Sequence, residues 1–288
     1  MAARDVCRWP ARTAVRLALV SDVHANLPAL QATLNSIAMA GVDRIVCLGD
    51  IVGTNTQPAE CIAAIRQVDA VCVAGNHDLA VCGRITTKTF SGTAARAVTW
   101  TQRRLARSDL HFLAGLPLRA VIGGNLIAVH GALHPQAACA PVRLDSDELR
   151  LQSFQAVIAD PSGARICAYG HTHHVGIHEF RDGRIMPILE ADVSLRDDAY
   201  YLINPGTVGE PRAHDRRASY MIADLAQRRV SVHRVSYDVS APRVATRRAG
   251  LAPPLSFIPL PVRASVATGW RALRYIRPAR QLAGLLGL

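Results

Sequence analysis

Five short stretches of this 288-residue chain carry side chains that hold metal ions or move protons: Asp22-Val23-His24, Gly49-Asp50, Gly75-Asn76-His77-Asp78, His130-Gly131 and Gly170-His171-Thr172-His173. Taken singly, each has a plain structural use. An Asp-x-His pair can be a turn or a cap, Asn76 a left-handed turn residue, His130 a half-buried histidine with its hydrogen bond made, and His171 with His173 a polar loop. Together they resist that account, because every one follows a short apolar run. Asp50 is the centre of the set. It closes the run Arg44-Ile45-Val46-Cys47-Leu48, and Gly49 lets the backbone pass close by, so both carboxylate oxygens can turn toward cations. Asp22 and His24 can close one side of a pair of ions, and Asn76 another. Mixed imidazole and carboxylate donors suit Mn, Fe, Ni, Co or Zn better than Mg or Ca, and Mn is the ion expected. Two divalent ions about 3.5 to 4 Å apart would supply what phosphate ester hydrolysis needs, a water whose pKa falls to about 7 and compensation for charge on the oxygens. With only two carboxylates among the donors, the centre stays net positive, which favours an anionic substrate.

The elements that must position these residues follow from the pattern. Strand signals recur at Val15 to Val20, Arg44 to Leu48, Ala70 to Ala74, Leu126 to Val129 and Arg165 to Tyr169. Between the first three lie helical patterns. Leu27, Leu30, Leu34 and Ile37 form one stripe, with Asn26 as N-cap and Gly41 as stop, and Pro58 to Arg66 carries Cys61, Ile62 and Ile65. Ala94 to Leu105 reads as a further helix and Phe112 to Pro117 as a packed turn. After Tyr169 come short runs with turn signals: Gly176 to Phe180, a turn at Asp182-Gly183, Arg184 to Leu189, Tyr200 to Asn204, Ala218 to Asp224 and Arg229 to Val235. These imply a second, mostly antiparallel sheet. The expected fold is therefore α/β, a four-layer α/β/β/α sandwich, with the polar loops at the carboxyl ends of its strands.

Charge and cysteines bound the setting. The net charge of +11 is confined to the ends: residues 241–288 hold eight Arg and no acid, and residues 17–240 balance 21 basic against 21 acidic groups. No stable nucleic-acid partner is expected of the body. Three uses stay open for the Arg-rich end: packing on the body, a tail, or a surface that meets anionic lipid or RNA. Beyond Asp238, prolines at 242, 253, 254, 259 and 261 should break the chain into extended pieces before a last helix bearing Trp270, Leu273 and Ile276. The organisation expected is an N-terminal extension (1–14), one domain (15–238) and a C-terminal extension (239–288). Seven scattered cysteines without a Cys-x-x-Cys pair suit small buried side chains in a reducing, cytoplasmic compartment. No signal peptide is expected, since the apolar segment Leu17 to Val20 is short and runs straight into Asp22.

In their order, Asp22-x-His24, Gly49-Asp50, Gly75-Asn76-His77-Asp78, His130-Gly131 and Gly170-His171-x-His173 resemble the calcineurin-like metallophosphoesterase superfamily, over roughly residues 15 to 238. Asn204-Pro205-Gly206-Thr207-Val208-Gly209-Glu210-Pro211-Arg212, followed by Arg217-Ala218-Ser219-Tyr220, is similar to the signature of its small bacterial and archaeal branch that includes YfcE-type phosphodiesterases. The resemblance implies a metallo-dependent phosphatase-like fold in which Asp22, His24, Asp50 and His173 hold one ion and Asp50, Asn76, His130 and His171 the other, with a bridging hydroxide attacking phosphorus in line. It implies that His77 stands beside the leaving-group oxygen as acid or donor, oriented by Asp78. Arg212 and His134 are candidate substrate contacts; His174 points elsewhere, and His111, His178, His214 and His233 have no motif support. The substrate would be a small phosphodiester or phosphomonoester. A phosphoprotein or a dinucleotide polyphosphate would use the same blocks, and a non-catalytic scaffold organised by metal is the reading from another class. Two departures stand out: Thr54-Asn55 where relatives often carry Tyr-Gly, and the long Arg-rich end.

Overall fold

Leu17 and Leu19 face one way from their strand and Ala18 and Val20 the other, and all four are fully buried, so this strand is covered on both faces. The computed structural model, which describes residues 6–8, 15–134, 142–212 and 215–252, shows what covers it. In chain order the first part runs β1 (Val6–Arg8), β2 (Arg16–Val20), α1 (Leu27–Ala40), β3 (Arg44–Cys47), α2 (Pro58–Gln67), β4 (Val71–Cys72), α3 (Asn76–Val81), α4 (Gly92–Gln102), α5 (Arg107–Gly115), β5 (Arg119–Ile122) and β6 (Leu126–Val129). It continues with α6 (Asp147–Ile158), β7 (Ile166–Ala168), β8 (Val175–Arg181), β9 (Arg184–Ile188), β10 (Asp192–Ser194), β11 (Tyr200–Pro205), β12 (Ala218–Asp224), β13 (Arg229–Val235) and α7 (Ser240–Arg248).

The strands make a six-stranded sheet in the order β10-β13-β12-β2-β3-β4 and a seven-stranded sheet in the order β1-β5-β6-β7-β11-β8-β9. Leu17, Leu19, Val46 and Met221 from one sheet and Leu126, Ala128, Ile166 and Ile203 from the other fill the space between them. On the outer face of the six-stranded sheet, Ala18, Ile45 and Ile222 pack with Leu30 and Ile37 of α1 and Ile62 and Ile65 of α2. On the outer face of the other, Ile127, Cys167 and Leu202 pack with Phe154 and Val157 of α6. The order is helix, sheet, sheet, helix, as expected, and each buried Leu or Ile contributes about 1.5–3 kcal/mol to holding it.

The expected split into an early parallel sheet and a late antiparallel one is corrected. β12 crosses to the first sheet and pairs antiparallel with β2, Met221 opposite Leu19 and Ile222 opposite Ala18. β6 and β7 join the later β11 instead, in parallel register through β7. The reason lies in β12 itself, which is apolar on both faces: Met221 lies between the sheets while Tyr220 and Ile222 face the helices. A strand of that kind belongs inside a sheet with cover on both sides.

Local chemistry explains the ends of the elements. Asn26 Oδ1 accepts the Ala29 N–H at 3.3 Å and Gly41 closes α1 with φ 64°. Asp182 and Gly183, both at positive φ, turn β8 into β9. Phe112 to Pro117 is mostly helix rather than turn; Leu113 is fully buried, and the Gly115-Leu116-Pro117 signal marks where α5 stops. Helix α6 has a Ser146 cap but leaves Leu151 and Ile158 exposed, so no apolar stripe announces it. Pro242 does not break the chain. It stands third in α7, inside the first turn, where a missing N–H leaves no intrahelical bond unmade. Thr246 and Leu251 are buried, so this part of the C-terminal extension packs on the body. The helix expected around Trp270 lies outside the described residues. Among the described residues, no helix is long and apolar enough to cross a membrane.

Candidate metal centre

All five polar stretches sit just beyond strand ends: Asp22 and His24 after β2, Asp50 after β3, Asn76 after β4 where α3 begins, His130 after β6, and His171 and His173 after β7. The first three strands belong to one sheet and the last two to the other, so the centre lies across the common end of both. Backbone bonds fasten the loops to each other: Asp22 N–H to Gly49 O at 3.0 Å, His24 N–H to Asp50 O at 2.9 Å and Gly170 N–H to His130 O at 2.8 Å. Asp22, His24, Asp50, His171 and His173 all have φ between 50° and 65°. Such left-handed conformations are uncommon outside Gly and Asn, and they persist where the surroundings over-determine them.

Close approach explains the glycines. Gly49 has φ 90°, and a Cβ there would lie 2.5 Å from Gly75 N; a Cβ on Gly75 would lie 2.1 Å from Asp50 Oδ1. Gly75→Ala should therefore push Asp50 out of place, lowering stability by about 1–3 kcal/mol, several degrees in Tm, and weakening Mn²⁺ binding with it. Thermal melts and a metal titration of the same sample check both effects.

The donor atoms converge in two groups around Asp50. Asp22, His24 and His173 offer one set of atoms lying within 4.8 Å of each other, and Asp50, His130 and His171 another. Asp50 Oδ2 stands 3.6 Å from His24 Nε2 and 3.3 Å from His130 Nε2, and Asn76 Oδ1 lies 3.0 Å from His130 Nε2. The seven residues expected as ligands are thus brought together. A third grouping of His24, Asp50 and His77 places His77 at the edge of the same space.

Tautomers sharpen the fit to a cation. His173 Nδ1 lies 2.9 Å from the Glu210 carbonyl and His130 Nδ1 lies 2.7 Å from the Leu48 carbonyl. In the neutral rings each Nδ1–H donates there, which leaves a lone pair on each Nε2. His24 Nε2 and His173 Nε2 are 3.1 Å apart, and His173 Nε2 is 3.1 Å from Asp22 Oδ1, a fully buried oxygen that receives no hydrogen bond. Lone pairs crowded in this way are what a divalent cation satisfies, and the residues present fit one.

Without a cation, protons must balance the charge. Burial opposes a proton on His130, but Asp50 at hydrogen-bonding distance, with Asp22 beyond it, lifts its pKa to about 10. Burial also opposes charge on Asp50, yet His130, His77 and His24 hold it below the ordinary carboxylate range. His171 is pushed down to about 3 by burial and by His130.

His77 and Asp78 are placed differently from each other. The His77 N–H donates to Asp50 Oδ1 at 2.8 Å, its ring meets His24 edge-on at 4.8 Å, and its buried Nδ1 has no partner. Asp78 is fully buried. Its oxygens accept the Val52 and Gly75 N–H groups at 3.1 and 3.0 Å, so it anchors two loops of the centre rather than bonding to the His77 ring. Burial, then Asp50, raises the Asp78 pKa to about 7.

Arg212 is exposed at the rim. Partial desolvation, then Arg143, lowers its pKa from the ordinary value, while Asp22, Glu210 and Asp50 act to raise it, so its guanidinium stands in the field of the metal loops. Arg143, not foreseen, reaches the His171 carbonyl at 3.4 Å. His134 turns to Gln152 of α6 at 2.9 Å. Other supports were also unforeseen as individual roles: Ser21 Oγ donates to Asp22 Oδ2 at 2.6 Å, Thr207 Oγ1 donates to the Asp22 carbonyl at 2.8 Å, and Asn204 Nδ2 donates to the Gly170 carbonyl at 2.8 Å. Asn204 and Thr207 lie within the Asn-Pro-Gly-Thr signal of the sequence.

The calcineurin-like phosphoesterase superfamily domain matches residues 15–228, and the chain belongs to that family. It is 34% identical over 228 residues to an uncharacterised protein of Methanocaldococcus jannaschii, covering 77% of this chain and 88% of that one. A crystal structure of a metallophosphoesterase from Sphaerobacter thermophilus is similar at 35% identity and a TM-score of 0.69, covering 84% of this chain and 96% of the other. A hypothetical protein of Pyrococcus horikoshii shares the fold at 17% identity and a TM-score of 0.65, covering 83% and 94%.

Proposed function

We propose that this chain hydrolyses phosphodiester or phosphomonoester bonds with two divalent transition-metal ions, manganese first among them. Asp22, His24, Asp50 and His173 would hold one ion, and Asp50, Asn76, His130 and His171 the other. The observation that carries the reading is the sharing of Asp50, whose Oδ2 lies 3.6 Å from His24 Nε2 and 3.3 Å from His130 Nε2. When bound, such ions supply a water nucleophile at neutral pH and offset the charge of the phosphate oxygens. The chain's own residues orient the rest. His77, kept neutral near pH 7 by burial, has one N–H to offer the leaving-group oxygen, and Asp78 fixes the loop that carries it. Arg212, with Arg143 near it, draws in the anionic substrate. Buried thiols at Cys47, Cys61 and Cys72 support a reducing, cytoplasmic setting.

Purified protein loaded with Mn²⁺ should release p-nitrophenol from bis(p-nitrophenyl) phosphate or p-nitrophenyl phosphate. Occupied sites with no turnover of either ester, or of a phosphopeptide or dinucleotide polyphosphate, would leave a metal-organised binder instead. Relative kcat/KM across that panel identifies the substrate class. Arg212→Ala should raise KM about tenfold, as loss of one charge-assisted contact does, without weakening Mn²⁺ binding, since a cation beside Asp22 and Asp50 opposes that binding. Steady-state kinetics and a metal titration separate the two effects.

A further inference from the structure

The two places where this chain departs from the pattern it resembles, Thr54-Asn55 and the C-terminal extension, touch one another. Asn55 is buried, and its amide makes three hydrogen bonds. Oδ1 accepts from Thr246 Oγ1 of α7 at 2.8 Å, and Nδ2 donates to the His24 carbonyl at 3.0 Å and to Glu210 Oε1 at 3.0 Å. Both amide hydrogens are used, and the acceptor oxygen has its donor, so the amide has only one satisfactory orientation. The backbone N–H of Asn55 donates to the same His24 carbonyl at 3.1 Å, and the neighbouring Thr54 Oγ1 lies 3.3 Å from His24 Nδ1. Glu210 in turn offers its carbonyl to His173 Nδ1 at 2.9 Å. A continuous run of contacts therefore leads from Thr246 through Asn55 to both His24 and His173, whose Nε2 atoms lie 3.1 Å apart.

We infer that Thr246 is a positioning residue for the metal centre: helix α7 acts through Asn55 to set the loops that present His24 and His173. The inference rests on the metal reading above. Its physical basis is that His24 and His173 hold left-handed backbones, with φ of 50° and 63°, which need outside support. Thr246 is itself buried, and Leu251, also buried, donates its N–H to the Thr246 carbonyl at 3.0 Å, so the helix end is fixed where the hydroxyl is needed. A segment outside the matched residues 15–228 would thus contribute to the site. Partners that orient ligands in this way commonly change metal affinity by about 10–100-fold when removed.

The test is Mn²⁺ titration by calorimetry of the full chain and four variants. Thr246→Val removes the hydroxyl at constant shape and should weaken Mn²⁺ binding about tenfold, and Thr246→Ser should restore it. Asn55→Ala cuts the same route from the other side, so the double variant Asn55→Ala with Thr246→Val should bind no more weakly than Asn55→Ala alone. Equal Mn²⁺ affinity in wild type and both single variants, with only Tm lowered, would reduce Thr246 to a structural residue. Additive losses in the double variant would likewise overturn the route. If Thr246→Val does not fold, Thr246→Ala takes its place on the same terms, and wild-type Mn²⁺ affinity in it or in Asn55→Ala contradicts the inference. Wild type that takes up no Mn²⁺ removes the metal reading itself, a result distinct from any of these.

Discussion

Asp50→Asn should give a folded protein that has lost tight Mn²⁺ binding and whose kcat/KM on p-nitrophenyl esters falls on the order of 10³-fold or more. The substitution keeps the shape of the side chain. An amide oxygen can still accept the His77 N–H that Asp50 Oδ1 accepts at 2.8 Å, so the loop between β4 and α3 should hold its place. What disappears is the negative charge common to both donor groups, and an amide NH₂ would face His24 Nε2 and His130 Nε2, which stand 3.6 and 3.3 Å from Oδ2. A neutral, donating group cannot serve two cations. Calorimetric Mn²⁺ titration, the ester assay and a melting curve on one preparation check the expectation. Retention of kcat/KM within about tenfold at unchanged Tm would rule out a shared-carboxylate centre.

Much of this centre was legible in the sequence for a definite reason. Hard and borderline divalent ions take carboxylates, imidazoles and amides, and in layered α/β proteins ligand groups gather on loops after strands, so Asp22, Asp50, Asn76, His130 and His171 announce themselves by type and place. The sheet to which each strand belongs was less legible. Periodicity tells that β12 is buried on both faces only through the identity of Tyr220, Met221 and Ile222; it does not tell which partner supplies the cover. Supports made by backbone atoms leave no trace at all. The Leu48 and Glu210 carbonyls that orient His130 and His173 could belong to any residue type. The expected orienting of His77 by Asp78 illustrates the same limit: the buried acid acts through two backbone amides of neighbouring loops, not on the His77 ring.

Stripped of metal by a chelator, the protein should become less stable as pH rises from about 6.5 to about 10, while the Mn²⁺-loaded protein should change little over the same range. The window follows from His130. Burial disfavours its charged form, but Asp50, Asp22 and the Leu48 carbonyl together raise its pKa to about 10, against about 6.5 in an unfolded chain. A group raised on folding contributes its full stabilisation below its unfolded pKa and loses it as pH climbs through the folded value. Asp78 acts in the same direction lower down, since burial and Asp50 raise its carboxyl to about 7 from about 3.9; folding there is favoured by the proton and weakened as it leaves. Asp22 and Asp50 oppose both. His173 and His130 hold Asp22 down against burial, and His130 and His77 do so for Asp50, so their contribution is present above about pH 4 and lost in stronger acid. Burial, and for His171 also His130, depresses His24, His77 and His171, and these rings cost stability below about pH 6.5, where the unfolded chain would protonate them. The stripped protein should therefore be most stable near about pH 6.5 and lose about 10 °C of Tm toward alkaline pH, as a few kcal/mol implies at this size. A divalent ion beside Asp50 replaces the proton on His130 as counter-charge, and with it removes the alkaline loss. Melting curves from about pH 6 to about pH 9, with chelator and with Mn²⁺, read the difference directly; parallel curves would mean that the ion does not stand next to Asp50.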